Sequence, residues 1–257
     1  MKDILRRLQD ALIESTKPSR DCTEAGGFMI MLTPDDPLVW INYAVPVAEA
    51  NNVDKMITVF QQANRTPLLE FFLDLWPETV SALEQKGFVC EKRMPIMVLK
   101  RQEWKGLDHQ HDIRGIDETT FHQVNQMLAG AFGMEPSEQK TEDPLDDPTF
   151  QRIANGTTLT SVAIVDGQVV GAGFGIGTPT IREIAGIGTK ASHRKQGIAS
   201  AVIAHLLDQF FGAEGEIAWL TPGDDTAQSV YANLGFRTVA EQVIYELREV
   251  PKASDAL

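Results

Sequence analysis

An apolar run that passes through a short basic turn into a long helical pattern is the feature that most constrains this chain. The run Ile184–Thr189 is typical of a buried strand, and apolar residues then recur at helical spacing from Ile198 to Phe210. The segment 194–199 is therefore predicted to be a strand-to-helix turn. The first backbone N–H groups of a helix have no partner within it and lie beside the positive end of its dipole. An anionic phosphate can satisfy them.

The residue types in this turn favour a phosphate site. Gly197 and Ala199 are small enough to let a pyrophosphate approach the main chain, and Arg194 and Lys195 add positive charge at its rim. An ordinary basic turn in front of a surface helix has the same spacing. The turn alone leaves both interpretations open.

The distribution of charge argues against nucleic acid as a partner. The 257-residue chain has a net charge of −13, with 13 basic and 15 acidic residues in 1–105 and 10 basic and 21 acidic residues in 106–257. Nucleic-acid binding needs a basic face that neutralises phosphates. We therefore expect no nucleic-acid partner, and a cationic or neutral small substrate is easier to accommodate.

The sequence also predicts neither a membrane partner nor a metal. No apolar run approaches the length of a bilayer span, and the first ten residues carry charges where a signal peptide has an apolar core, so we expect a cytoplasmic protein. The run Asp108-His-Gln-His-Asp112 contains possible ligands, but it lies in a polar stretch with nothing to fix its geometry.

A pattern of strand, helix, Gly-Phe and strand occurs twice in the chain. When Gly87 is set against Gly235, an offset of 148 residues, segment 78–99 aligns with segment 226–247 and the residue class agrees at most apolar positions. The match indicates a diverged internal duplication. A helix that ends in glycine before a strand gives a partial match by itself, and this is the alternative.

The first copy lacks the basic turn. Its corresponding stretch, Val47–Val53, contains neither glycine nor arginine, so it can support the fold without binding phosphate. The polar stretch after residue 100 is the best candidate for a linker. We predict an N-terminal domain over 1–105, a linker over 106–112 and a second domain over 113–257.

The second copy is predicted to begin with a helix and a three-stranded meander. The helix is predicted over 117–128, and the run Gly130–Gly133 is expected to end it. Alternating apolar residues then predict three successive strands, at 158–165, 169–176 and 181–189. The acidic stretch 134–150, which lies between this helix and the first of these strands, is interpreted as a solvated loop, although it could attract a cationic substrate.

The glycines between Gly171 and Gly177 resemble a dinucleotide-binding loop. The run lacks the final glycine of that pattern and is followed by a turn and a strand, not by a helix. We interpret it as a strand that another backbone approaches closely.

Two motifs together carry a resemblance to a known family. Arg194-Lys-Gln-Gly-Ile-Ala199 after a strand, with Tyr231-Ala-Asn-Leu-Gly-Phe236 on the next helix, resembles the Gcn5-related N-acetyltransferase (GNAT) family, whose pattern is Arg/Gln-x-x-Gly-x-Gly/Ala. The resemblance covers residues 112–248. It implies an α/β fold with a mixed (α+β) sheet, the GNAT acyl-CoA N-acyltransferase fold, in tandem with a degenerate first copy.

In that fold two neighbouring strands splay apart and admit the pantetheine arm of acetyl-CoA, and the resemblance implies that they are 181–189 and 216–220. It also implies which residues bind the cofactor. The implied residues are main-chain groups of Ile187, Gly188 and Thr189 for the pantetheine, and Arg194, Lys195, Gln196, Gly197, Ile198, Ala199 and Ser200 for the pyrophosphate. Thr189 stands where the family usually has valine, but the change removes no backbone donor.

The resemblance assigns two catalytic candidates. Tyr231 stands where the family places the tyrosine that protonates the departing CoA thiolate, and a phenol holds its proton at neutral pH. Glu183 matches the position of a catalytic glutamate in the histone-modifying branch of the family. A half-buried helix tyrosine and an exposed strand glutamate are the alternatives on sequence grounds. His193 and Glu135 are weaker candidates for the base.

The function implied is an acetyl-CoA-dependent N-acetyltransferase in which a primary amine attacks the thioester directly. Acetyl-CoA is the expected cosubstrate, and the amine belongs to a small molecule or a peptide. The alternative is a non-catalytic acyl-CoA-binding or interaction protein that retains the fold. The sequence leaves the oligomeric state open between a monomer and a homodimer.

Overall fold

The computed structural model describes residues 1–34, 41–49, 52–134 and 143–248. Its helices are α1 (Lys2–Thr16), α2 (Val53–Gln62), α3 (Thr79–Glu84), α4 (Phe121–Phe132), α5 (Pro148–Ala154), α6 (Ile198–Gly212) and α7 (Asp225–Asn233). Its strands are β1 (Asp21–Ala25), β2 (Phe28–Leu32), β3 (Tyr43–Pro46), β4 (Leu68–Phe72), β5 (Phe88–Lys100), β6 (Asp112–Arg114), β7 (Leu159–Val165), β8 (Gln168–Gly177), β9 (Ile181–Thr189), β10 (Ile217–Leu220) and β11 (Arg237–Leu247). Within the described ranges, no helix has both the length and the apolar character needed to cross a bilayer.

The chain forms two compact units. The first contains Met1–Ile96 together with the chain from Thr238 onward, and the second contains Met97–Arg237. The predicted domains of 1–105 and 113–257 have different limits: residues 97–105 lie in the second unit, and most of β11 lies in the first. Apolar spacing identifies a strand but not the sheet that it joins, and sequence neighbours are the default choice.

The first unit is a mixed sheet with helices packed on it. β1, β2 and β3 form an antiparallel meander, β3 pairs parallel with β4, and β4 pairs antiparallel with β11. The amphipathic pattern of α1 buries Leu5 and Leu8 completely. The buried Gln9 is satisfied in this core, because it donates to the Pro46 carbonyl at 3.0 Å and accepts from the Trp76 indole at 2.7 Å.

The second unit has the same order of elements. β6 to β9 form an antiparallel series, β9 pairs parallel with β10, and β10 pairs antiparallel with residues 97–100 of β5. α6 is buried nearly all round, and its Leu206, Leu207, Phe210 and Phe211 belong to the main core of the unit. This core fixes the position of the helix.

Each unit therefore contains three antiparallel strands, a helix, a parallel strand and a second helix in the same order, as the duplication predicts. In each repeat, the strand that follows the second helix pairs in the sheet of the other unit. β11 follows α7 but pairs in the first unit, and the end of β5 follows α3 but pairs in the second. The mixed α/β sheet predicted from the sequence is confirmed.

Three local predictions differ from the structure. The sequence analysis contained no strand at 21–25, where β1 is found. α4 begins at Phe121, not at residue 117, because the Asp117 side chain accepts hydrogen bonds from Thr119 and Thr120 and forms a turn. The helix also continues beyond residue 128 to Phe132, and Gly133, whose φ is 68°, caps it within the predicted run Gly130–Gly133. The predicted loop at 134–150 lies partly outside the described residues, and Glu135 lies wholly outside them.

Glu70 on β4 is a partly buried carboxyl in the first unit. It accepts a hydrogen bond from the side-chain amide of Gln242, whose Oε1 is buried with no partner in the described chain. Burial raises the pKa of Glu70 from 4.5 to about 7, and Arg20 and Lys92 oppose the shift. A protonated carboxyl has an O–H to donate in this environment.

We expect the Glu70 carboxyl to make the folded protein less stable as the pH rises. The unfolded chain releases this proton near pH 4.5 and the folded chain near pH 7, so the folded state binds the extra proton between these values and loses that advantage above them. Measured by urea unfolding, the free energy of unfolding of the wild type should be lower at pH 8 than at pH 5. Glu70→Gln should remove about 2 kcal/mol of this difference. Glu24→Gln, an exposed site in β1, is the control, and an unchanged difference in Glu70→Gln would contradict the assignment.

Candidate active site

The pairing between β9 and β10 ends partway along β9. The two parallel strands are in register from Ile217 and Ile181 to Trp219 and Glu183. β9 continues for six more residues and stays paired with β8 on its other side, as far as Thr189 opposite Gly171. Residues 184–189 therefore have no paired strand on the side of β10 within the described residues. We call this unpaired edge the opening, and it is where the resemblance predicted splayed strands.

The chain after β9 forms a loop that we call the cradle, residues 194–200. Lys195 and Gly197 have φ values of 61° and 79°, and α6 begins at the next residue. No side chain caps this helix, and its first internal bond runs from the Ala201 N–H to the Gly197 carbonyl at 3.0 Å. Within the described chain the N–H groups of residues 195–200 donate to no acceptor. They form a set of donors available to an anion.

The charges around the cradle are positive, although the chain is acidic. No acidic residue occurs between Ile184 and Leu207. Lys195 is exposed, and Lys190 lies just before the cradle, with its ammonium donating to Gln168 at 3.2 Å. The Arg194 guanidinium donates to the Thr189 carbonyl at 3.3 Å and to the Ala131 carbonyl at 3.2 Å, so it ties the cradle to the end of α4.

Two glycines near the opening pack closely against side chains. A Cβ on Gly188 would lie 2.4 Å from a methyl of Leu128 on α4, and one on Gly173 would lie 2.3 Å from a methyl of Ile187. The prediction that a backbone approaches the glycines of β8 is therefore wrong at Gly173, where a side chain approaches. It is right at Gly177, where a Cβ would meet the Ile181 carbonyl at 2.2 Å.

Tyr231 on α7 is held with its ring buried. The side chain is 8% exposed and belongs to the same core cluster as Ile184 and Leu220, the first residues of β9 and β10 beyond their last pair. Its hydroxyl makes no hydrogen bond within the described residues. Burial, and to a lesser extent the Asp224 carboxylate, raise the pKa of Tyr231 above its ordinary value. The phenol is therefore protonated at neutral pH.

Glu183 is the last residue of β9 that pairs with β10, and it lies opposite Ile176 of β8. Residues directly opposite in a ladder share a face, and neighbouring residues along a strand face opposite sides. Ile184 belongs to the α6 core, so Glu183 is on the other face, where Ile176 is 41% exposed. A carboxylate here is at the narrow end of the opening.

These residues fit the pantetheine and diphosphate of CoA. Ile187, Gly188 and Thr189 lie on the stretch of β9 that has no β10 partner, and the cradle presents unpaired N–H groups beside cationic side chains. The Thr189 hydroxyl is buried and has no partner in the described chain. A ligand beside β9 that accepts hydrogen bonds would satisfy these donors.

A cavity of about 490 Å³ is lined in part by the Lys190–Ala191 turn. Three glutamines and one lysine contribute polar groups to it: Gln123, Gln126, Gln168 and Lys190. None of its lining residues belongs to β10 or α7, so it is separate from Tyr231. Within the described part of the chain no group of three His, Cys, Asp or Glu side chains is placed to hold a metal.

Sequence reasoning missed two residues that contact the cradle. Ala131 accepts the bond from Arg194, and His111 lies 2.9 Å from the Gln196 carbonyl through its Nε2 atom. Ala131 acts through its carbonyl, which has no sequence signal. His111 was visible only as part of a polar stretch interpreted as a linker.

Comparison with known proteins agrees with this geometry. Residues 121–236 match the family model of the acetyltransferase (GNAT) family. No curated protein sequence matches the chain. A GCN5-related N-acetyltransferase from Kribbella flavida has a similar structure, with a TM-score of 0.78 and 21% identity over 98% of both chains.

Two further structures extend the comparison. A GCN5-related N-acetyltransferase from Sphaerobacter thermophilus matches with a TM-score of 0.57 and 14% identity over 89% of this chain and 83% of its own. A tandem GNAT protein from the clavulanic acid biosynthesis pathway matches with a TM-score of 0.58 and 12% identity over 88% and 80%. Residues 121–236 therefore match the GNAT family, and the chain has the GNAT fold in a tandem arrangement. The family supports acyl transfer as the class of reaction.

Replacing Gly197 tests whether the cradle depends on its left-handed turn. Space is available, because the nearest atom to an added Cβ is His111 Nε2 at 3.6 Å, but a φ of 79° disfavours any side chain. We expect Gly197→Ala to lower the free energy of unfolding by about 1 kcal/mol in urea titrations and to weaken CoA binding in calorimetry. Gly212→Ala at the other end of α6 has open space and no positive φ, and it should leave CoA binding unchanged. Equal affinity in the two variants would contradict the role of the turn.

Proposed function

We propose that this protein is an acetyl-CoA-dependent N-acetyltransferase that transfers an acetyl group to a primary amine by direct attack on the thioester. The observation that carries the proposal is the succession of two features along one strand. β9 loses its β10 partner after Glu183, and its end leads directly into a loop whose N–H groups at 195–200 are unpaired. An extended ligand with a neutral arm and an anionic end fits this order.

Backbone groups would carry most of the binding. Ile187, Gly188 and Thr189 offer main-chain groups to the amides of the pantetheine arm, while the cradle offers N–H groups and the Arg194 and Lys195 charges to the pyrophosphate. Acetyl-CoA supplies the activated acyl group when bound. The protein contributes position, a dry opening beside the α6 core and proton transfer.

Tyr231 is the proposed general acid. The raised pKa keeps its hydroxyl protonated, and that hydroxyl makes no bond within the described residues that would have to be broken first. It would donate its proton to the sulfur as the thiolate leaves. The core cluster shared with Ile184 and Leu220 holds the ring beside the first residues of β9 and β10 beyond their last pair.

Glu183 is the proposed general base. An ammonium cannot attack a carbonyl, so a proton must leave the acceptor amine, directly or through water. Glu183 lies at the narrow end of the opening, on the face opposite the Tyr231 core. The acceptor is proposed to be an amine of a small molecule or a peptide, which the acidic second half of the chain attracts.

The proposal is tested by titrating the protein with acetyl-CoA in a calorimeter and then measuring thiol release with a panel of primary amines. Saturable binding with turnover of at least one amine supports it. Tight binding without turnover of any amine supports the alternative, an acyl-CoA-binding protein that retains the fold. Absence of acetyl-CoA binding would exclude both.

Replacing the Tyr231 hydroxyl tests its role as the acid. We expect Tyr231→Phe to lower kcat by roughly 100-fold, because general acid catalysis contributes about that much or more, while the Kd for acetyl-CoA changes little. Tyr245→Phe is the matched control, since this buried tyrosine lies in the first unit, where its hydroxyl donates to Glu84 at 3.5 Å. A kcat for Tyr231→Phe within twofold of the wild type would eliminate the phenol as the acid.

A further inference from the structure

The polar stretch interpreted as a linker is attached to α6 at both ends of the helix. The Trp104 indole N–H donates to Asp208 Oδ1 at 2.7 Å, near the end of α6. His111 Nε2 lies 2.9 Å from the Gln196 carbonyl, just before its beginning. Residues 105–110 between these contacts are exposed. The stretch is therefore part of the second unit, and it brings one imidazole to the cradle.

The contact of His111 is with the peptide group that joins Gln196 to Gly197. In a trans peptide the C=O and the N–H point in opposite directions in one plane. If the imidazole N–H holds the Gln196 carbonyl on one side, the Gly197 N–H must point to the other side. This N–H is one of the unpaired donors of the cradle.

This peptide group needs such a restraint more than most. Gly197, on its C-terminal side, has a left-handed φ of 79° and no side chain that would restrict rotation, and Lys195, the residue before Gln196, is also left-handed. The Gly197 N–H has no acceptor within the described residues, so the main chain does not fix this plane from that side. His111 supplies the hydrogen bond that does.

We propose that His111 is a positioning residue of the phosphate site, because its bond to the Gln196 carbonyl aims the Gly197 N–H at the pyrophosphate of CoA. This inference rests on the proposed function. His111 acts through the main chain and not through its charge, because both the Nε2–H tautomer and the imidazolium can donate to a carbonyl. The neighbouring His109 ring, 6.2 Å away and nearly parallel, has no contact with the cradle.

The test compares three ligands, CoA, dephospho-CoA and pantetheine, by calorimetry with the full chain. Pantetheine lacks the pyrophosphate, and dephospho-CoA keeps it but lacks the 3′-phosphate. We expect His111→Ala to raise the Kd for CoA and for dephospho-CoA by about fivefold to tenfold, the effect of losing one hydrogen bond, and to leave pantetheine unchanged. His111→Gln, whose neutral amide can donate to the same carbonyl, should restore affinity to within about twofold. His109→Ala is the control and should bind like the wild type.

Each other outcome overturns the inference in a recognisable way. If the wild type binds CoA and His111→Ala binds it equally well, His111 has no role although the proposed function stands. If the effect disappears with dephospho-CoA, or if His111→Gln fails to restore binding, the imidazole contacts a phosphate itself. Equal weakening of all three ligands would indicate general damage to the opening. A wild type that binds none of them removes the proposed function and this inference together.

Discussion

The unpaired backbone N–H groups at the start of α6 are the constraint on which the rest of the site depends. Many helices satisfy these donors with a side-chain cap, but α6 has none, and residues 194–197 that lead into it are exposed. The donors are also held rigidly, because α6 is anchored in the core by residues such as Leu206, Leu207 and Phe210. A preorganised set of donors binds an anion without a further ordering cost. The absence of acidic residues from Ile184 to Leu207 removes the repulsion that an acidic chain would otherwise impose.

The first repeat shows how the same architecture loses this property. Its helix α2 is capped by Asn52, whose side chain accepts from the Lys55 N–H at 3.2 Å. The loop before it donates inward, since the Val47 and Asn52 N–H groups bond to the carbonyls of Gly27 and Gly26 at 2.8 and 2.7 Å. The turn between β1 and β2 thus occupies donors that are free in the second repeat. This satisfies the backbone of the first unit and leaves a phosphate with few groups to bind.

The sequence predicted the elements of the fold better than their partners. The β9, cradle and α6 succession followed from apolar periodicity and from Gly197, and the two repeats followed from the match around Gly87 and Gly235. The exchange of the last strands could not be predicted from the sequence, because the pairing of β11 with β4 depends on contacts distant in sequence. His111 was missed for the same reason. Its bond to Gln196 spans 85 residues and ends on a main-chain atom, which leaves no mark on the neighbouring residue types.

The two catalytic candidates lie on different faces of the same strand. Tyr231 shares the α6 core with Ile184, whereas strand alternation places Glu183 on the opposite face. The space between β9 and β10 beyond their last pair is the region that both faces border. In a direct transfer the proton to be removed and the proton to be supplied belong to different atoms, the amine nitrogen and the sulfur. An acid and a base that approach from opposite faces can serve these atoms without transferring the proton to each other, and this arrangement requires that the strands separate just after Glu183.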